Sequence, residues 1–237
     1  MEMMVCDCFP SGACYYKDGD DKMISILMKT LLCASPNIEF SPDEVSEYNE
    51  LISSIYEGQP ISYSSNFPKY RFLQYLTLQG DFVFHGSNHM SIDIFEPRKQ
   101  TLFNGQLTQA VFASTEANWS VFYAVLDRNK LTGGFRNGCL VYKGKKYHYY
   151  SLNQSTMKNN PWTSGKLYIF PKNKFKPSDT GKFRFDEWVC HEPVKPLSQL
   201  EIGPRDFYYM NRVSTHKNNE STVKTWLLYK IRTLKTK

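Results

Sequence analysis

The first chemical suggestion in this chain is the run Phe82-Val83-Phe84-His85-Gly86-Ser87. The apolar residues form a short strand, and the polar turn after them sets an imidazole, a bare backbone and a hydroxyl side by side. His85 can hydrogen-bond a sugar hydroxyl, Gly86 lets a flat ring approach the main chain, and Ser87 adds a hydroxyl beside them. Such a strand end can grip a ribose and an adjacent carboxamide together. A second strand, Ala110-Val111-Phe112-Ala113, runs into a helix expected from Ser114 to Leu126, with Ser114 as its cap. Ala117, Val121, Ala124 and Val125 share one face of that helix. Between the strands lies Glu96-Pro97-Arg98, whose guanidinium suits two-point contact with a phosphate or an ion pair with a surface acid.

Phe84-His-Gly-Ser87, Glu96-Pro-Arg98 and the Ala110-to-Ala124 segment together resemble the first two motifs of the ADP-ribosyltransferase superfamily. The rifamycin-modifying branch is similar, and so is a bacterial and phage family with His-Gly-Ser-Asn and Glu-Pro-Arg. The resemblance covers residues 81–126 well and the rest loosely. It implies a split β-sheet core with NAD as the consumed cofactor. It also implies that His85 holds the nicotinamide ribose and that the Gly86 backbone, helped by Ser87, binds the carboxamide. Phe122 or Tyr123 would stack on the nicotinamide, Phe112 on the second strand would also contact NAD, and Arg98 would meet the pyrophosphate or adenosine end. The superfamily often has Tyr on the second strand, where Val111-Phe112 offers no hydroxyl. Its catalytic Glu has two candidates here, Glu192 in His191-Glu-Pro-Val194, which is preferred, and Glu187 in Asp-Glu-Trp188. A carboxylate is needed because departure of nicotinamide leaves a cationic, oxocarbenium-like ribose.

The implied activity is mono-ADP-ribosyl transfer from NAD, a glycosyltransferase reaction, or NAD hydrolysis at the same site. The acceptor is left open among protein, nucleic acid and small molecule. An RNA 2′-phosphotransferase is one alternative, although no basic cluster for an RNA phosphate is evident. A catalytically degenerate nucleotide-binding module is the other.

Composition narrows these classes. The net charge of +6 favours phosphate contact, yet 23 acids are interspersed with 29 bases. No long basic run appears before the C-terminal tail. Cys6-Asp-Cys8 has the wrong spacing for a zinc knuckle, and His89, His148 and His216 show no ligand spacing, so no metal is expected. Ser87 has no nearby base for hydrolase chemistry. The six cysteines form no regular framework and suit free thiols in a reducing cytoplasm. No apolar run reaches membrane-spanning length. The Met23-to-Ser35 stretch, interrupted by Lys29, reads as an amphipathic helix rather than a signal peptide.

These residues need an α+β framework. Residues 1–79 are expected as an N-terminal helical extension, with a loosely packed start over 1–21, and residues 80–237 as the NAD-binding domain. Ser41-Pro-Asp-Glu44 opens a helix whose Val45, Tyr48, Leu51, Ile52, Ile55 and Tyr56 follow at helical spacing. Tyr70 to Leu78 forms a second helix, stopped by Gly80. Strands are expected at 139–142, 147–151, 166–170, 188–190 and 200–202. Tyr147-His-Tyr-Tyr150 and Tyr208-Tyr209 could stack bases but suit core positions better. A last basic helix, 222–235, aligns Val223, Leu227, Ile231 and Leu234 on a stripe that should pack inward.

Overall fold

The computed structural model describes residues 14–234, with side chains from Lys22 onward. Cys6, Cys8 and the side chain of Cys14 lie outside the described residues. The helix expected from Met23 starts earlier, as α1 (Cys14–Leu31), and leads to the two-residue strand β1 (Cys33–Ala34). Next come α2 (Pro42–Tyr56) and α3 (Lys69–Gln79). Ser41 caps α2 in a reciprocal box with Glu44. Gly80, at φ +81°, ends α3 in a conformation that side chains resist. The Arg71 guanidinium on α3 also bonds the Glu44 carboxylate, which holds that carboxyl down at about 2 and ties the two helices.

The strands β2 (Phe82–Ser87), β3 (Arg98–Thr101) and β4 (Leu107–Ala113) precede α4 (Ala117–Val125). A hairpin of β5 (Phe135–Tyr142) and β6 (Lys145–Asn153) turns at Lys143-Gly144, both left-handed. It leads through α5 (Gln154–Lys158) to β7 (Gly165–Pro171). Then follow β8 (Lys176–Pro177), β9 (Phe183–Phe185), β10 (Trp188–Cys190), β11 (Ser198–Ile202), β12 (Val213–His216) and α6 (Thr222–Leu234).

The fold is α+β, built on three largely antiparallel sheets. One runs β11-β7-β2, a second β3-β4-β10-β8, and the third β1-β6-β5-β9 with β12 parallel to β6. The first two meet at a single bridge, where Phe84 and Ser114 exchange both main-chain hydrogen bonds. Helix α4 is apolar nearly all round because it lies between sheets. Its Phe122 ring packs on Tyr150 of β6, while its other side rests on β2 and β7. Tyr48, Ile55, Phe72 and Leu76 of α2 and α3 share one core with Phe84, Val121, Leu140, Tyr150 and Ile169. Packing therefore does not separate the early helices from the sheets.

Two local expectations change. Ser114 does not cap α4: its hydroxyl accepts from Glu116 N and donates to Asp186, and Glu116 is the cap position. Helix α6 is turned the other way round from its pattern. Thr225, Tyr229 and Thr233 are fully buried, whereas Val223, Leu227, Ile231 and Leu234 are 69%, 54%, 53% and 57% exposed. The inward face is held by polar bonds. The Tyr229 hydroxyl donates to Arg212 O, and Thr225 and Arg232 both reach Glu220.

Candidate functional site

The strand β2 divides its side chains by alternation. Phe82 and Phe84 enter the main core, while Val83 joins a smaller one with Phe95, Tyr168 and Phe170. His85 follows Val83 on that second face, its ring edge-on to Phe95 at 5.0 Å. Its Nδ1 lies 2.6 Å from the carbonyl of Phe112 on β4. A carbonyl only accepts, so Nδ1 carries the proton and Nε2 keeps a free lone pair. Burial pushes the imidazole pKa down, and the charges of Arg128 and Arg98 act in the same direction. His85 is thus held as a neutral acceptor.

Gly86 is required for a reason that the sequence did not suggest. A Cβ there would lie 1.8 Å from Ser120 O and 2.8 Å from Ala124 N, so the α4 backbone sits directly on it. Gly165 on β7 receives the same helix, with a Cβ falling 2.1 Å from Ala124 O. The main chain of Gly86 is also oriented. Both polar groups of Phe84 point to Ser114, so those of Gly86, two residues on, point the same way. The isolated Phe84–Ser114 bridge is not continued along β4, so the amide and carbonyl of Gly86, which lines the cleft, have no partner strand on that side.

His85, Gly86, Phe112, Tyr123 and Glu187 converge on one cleft of about 250 Å³. Trp119 and Tyr123 form part of its aromatic wall, and both donate to Asn137 Oδ1, at 2.6 and 2.9 Å. Burial pushes the Tyr123 hydroxyl up to about 12. Phe103 extends the wall, stacked on Phe185 with centroids 3.9 Å apart. Gln100, Thr101 and Arg128 complete the polar rim.

Glu187 is buried at the cleft wall. It accepts from Ser178 Oγ at 2.9 Å and Phe103 N at 3.4 Å, and burial raises its pKa. The residue before it explains how it is aimed. Asp186 turns the other way, pairs with Lys146 at 3.0 Å, and accepts from Ser114, Thr115 and the Trp188 indole. Burial alone would raise its pKa, but Lys146 and the hydroxyls hold it below the ordinary value. With Asp186 anchored inward, its neighbour is set towards the cleft.

Glu192, the preferred carboxylate of the sequence reading, does not line this cleft. Strand β10 pairs with β4 so that Trp188 faces Ala113 and Cys190 faces Val111. Glu187 therefore enters at the His85 end, while Glu192 is carried past the far end and is exposed. Its neighbour His191 bonds Gln109 O there. Phe122 is also outside, wholly within the main core on the opposite side of α4 from Ser120 and Gly86. Ser87 is half-buried and accepts from His89 N, outside the residues that line the cleft. Arg98 is exposed on β3, on the same face as Gln100, at the edge rather than in the lining.

Sequence reasoning missed Gln100, Thr101, Phe103 and Arg128, which sit in segments without periodicity or motif. Trp119 was visible within the Ala110-to-Ala124 segment. The Asp186-Glu187 pair before a strand was the remaining signal.

Among the described residues no three His, Cys, Asp or Glu side chains are grouped to hold a metal, and no helix is long and apolar enough to cross a membrane. No family model matches the chain, and no curated protein or solved structure matches it.

Proposed function

We propose that this chain is an ADP-ribosyltransferase-like enzyme that cleaves NAD and transfers ADP-ribose to an acceptor or to water. The observation that carries the reading is the convergence of His85, the Gly86 main chain, Tyr123 and Glu187 on one aromatic-walled cleft. A neutral imidazole with a free Nε2 accepts from a hydroxyl of the nicotinamide ribose. The unpaired amide and carbonyl of Gly86 match the two polar atoms of a carboxamide. Tyr123 and Trp119 offer flat faces to the nicotinamide, and Arg128 offers charge to the pyrophosphate.

When the glycosidic C–N bond breaks, its electron pair leaves with nicotinamide and the ribose becomes cationic. Glu187, as a carboxylate on the cleft wall, stabilises that charge. The acceptor or water then bonds the anomeric carbon and gives up its proton to solvent water. Glu187 takes the place that Glu192 holds in the sequence reading because only Glu187 lines the cleft.

Calorimetric titration with NAD tests the binding half of this reading. Wild type should bind, and His85→Ala should bind about tenfold more weakly, the effect of one lost hydrogen bond to a sequestered hydroxyl. Equal affinity in the two proteins would remove His85 from the site.

A further inference from the structure

Helix α6 packs its weaker face. An amphipathic helix ordinarily buries its aliphatic stripe, yet here two threonines and a tyrosine face inward. Val223, Leu227, Ile231 and Leu234 are left outside at intervals of four, four and three residues. That is the spacing of a seam that packs against another helix.

The same is true of its neighbour. Helices α1 and α6 lie side by side, and Lys230 of α6 donates to Leu32 O just after α1 at 3.1 Å. Met28 and Leu32 are buried, while Met23, Ile26 and Leu27 are half to two-thirds exposed on the other side of α1. They too follow a three-and-four spacing. Two adjacent helices thus present aliphatic seams that nothing within the described residues covers.

We propose that this α1–α6 face is the contact surface of a homodimer, with the two helices of one copy packed on those of the other. Two observations select a second copy. Among the described residues, eight aliphatic side chains of the two helices are exposed, enough to furnish one side of a standard protein–protein interface of about 800 Å². Narrow seams at helical spacing suit knobs from another helix. A lipid surface favours a broad face with aromatic anchors, and the one tryptophan of α6, Trp226, is turned inward onto Tyr149. A two-fold arrangement uses one patch twice and closes without leaving a free copy of it. This inference is independent of the NAD reading.

Sedimentation equilibrium of the full chain tests it, alongside the double variant Leu227→Glu/Ile231→Glu and the control Leu78→Glu, which changes an exposed leucine on α3. Wild type should be a dimer. The double variant should keep the wild-type circular dichroism spectrum but dissociate at least about a hundredfold more readily, because each copy would bring two unpaired carboxylates into an apolar seam. The control should associate like wild type. A monomeric wild type at every attainable concentration overturns the proposal. So does a dimer indifferent to the double substitution, or a monomer that co-sediments with phosphatidylserine vesicles, which would assign the face to a membrane surface.

Discussion

Asp186 and Glu187 are adjacent carboxylates with opposite surroundings. Asp186 belongs to a buried polar cluster in which Lys146, two hydroxyls and an indole saturate its oxygens. Glu187 belongs to the cleft, where one hydroxyl and one long amide bond leave acceptor capacity to spare. The contrast separates two uses of a buried acid. A fully partnered carboxylate fixes the chain, and a partly partnered one beside a cavity is available to a substrate.

Breaking the fixed side should cost the most. Asp186→Ala leaves the Lys146 ammonium without its main partner and should destabilise the protein by about 3–5 kcal/mol, measured by denaturant unfolding. The Gly86→Ala variant attacks the contact that frames the cleft. Its added methyl meets the α4 backbone rather than a flexible side chain. A loss of about 3 kcal/mol is expected, with weaker NAD binding even where the variant is folded. A near-neutral Gly86→Ala would mean that α4 does not bear on β2 as described.

The pH dependence sharpens the comparison with smaller effects of opposite sign. The Asp186 pKa is lowered in the fold, so its contribution is present above the ordinary value of 3.8 and lost as pH falls through the lower one. The Glu187 pKa is raised, so its contribution is full below 4.5 and lost as pH rises through the folded value. Glu187→Gln should therefore be as stable as wild type or slightly more stable at pH 7, while Asp186→Asn should be less stable there. Buried His148 adds an acid limb. Burial, with the Lys146 charge, pushes its pKa down to about 3, so stability should fall by about 1.4 kcal/mol per pH unit from this group between pH 6.5 and 3. His148→Gln, if folded, should flatten that limb.

What could be read in advance follows physical range. Elements set by local signals were legible: the Ser41–Glu44 box, the Gly80 stop, and the strands around Phe84 and Ile169. His85 and Gly86, singled out in the sequence at a strand end, both line the cleft. Tertiary choices were not legible. Nothing local tells which of Phe122 and Tyr123 faces the cleft, because α4 is apolar on both sides and only the two sheets decide. Glu192 was preferred over Glu187 by likeness of its flanking residues, whereas the register of β10 on β4 brings Glu187 and not Glu192 to the cleft. The α6 stripe shows the limit of periodicity. It identifies an apolar face and does not say which partner, within or beyond the fold, that face meets.

The central claim is that Glu187 serves the chemistry of NAD cleavage and Glu192 does not. Nicotinamide release at saturating NAD, for wild type and the variants Glu187→Gln and Glu192→Gln, tests it most directly. Wild type should release nicotinamide. Glu187→Gln should be slower by about a hundredfold or more at near-normal NAD affinity, as expected of a group that acts on charge in the transition state. Glu192→Gln should turn over like wild type. An inactive Glu192→Gln beside an active Glu187→Gln would contradict the account, as would a folded wild type that binds NAD and never releases nicotinamide.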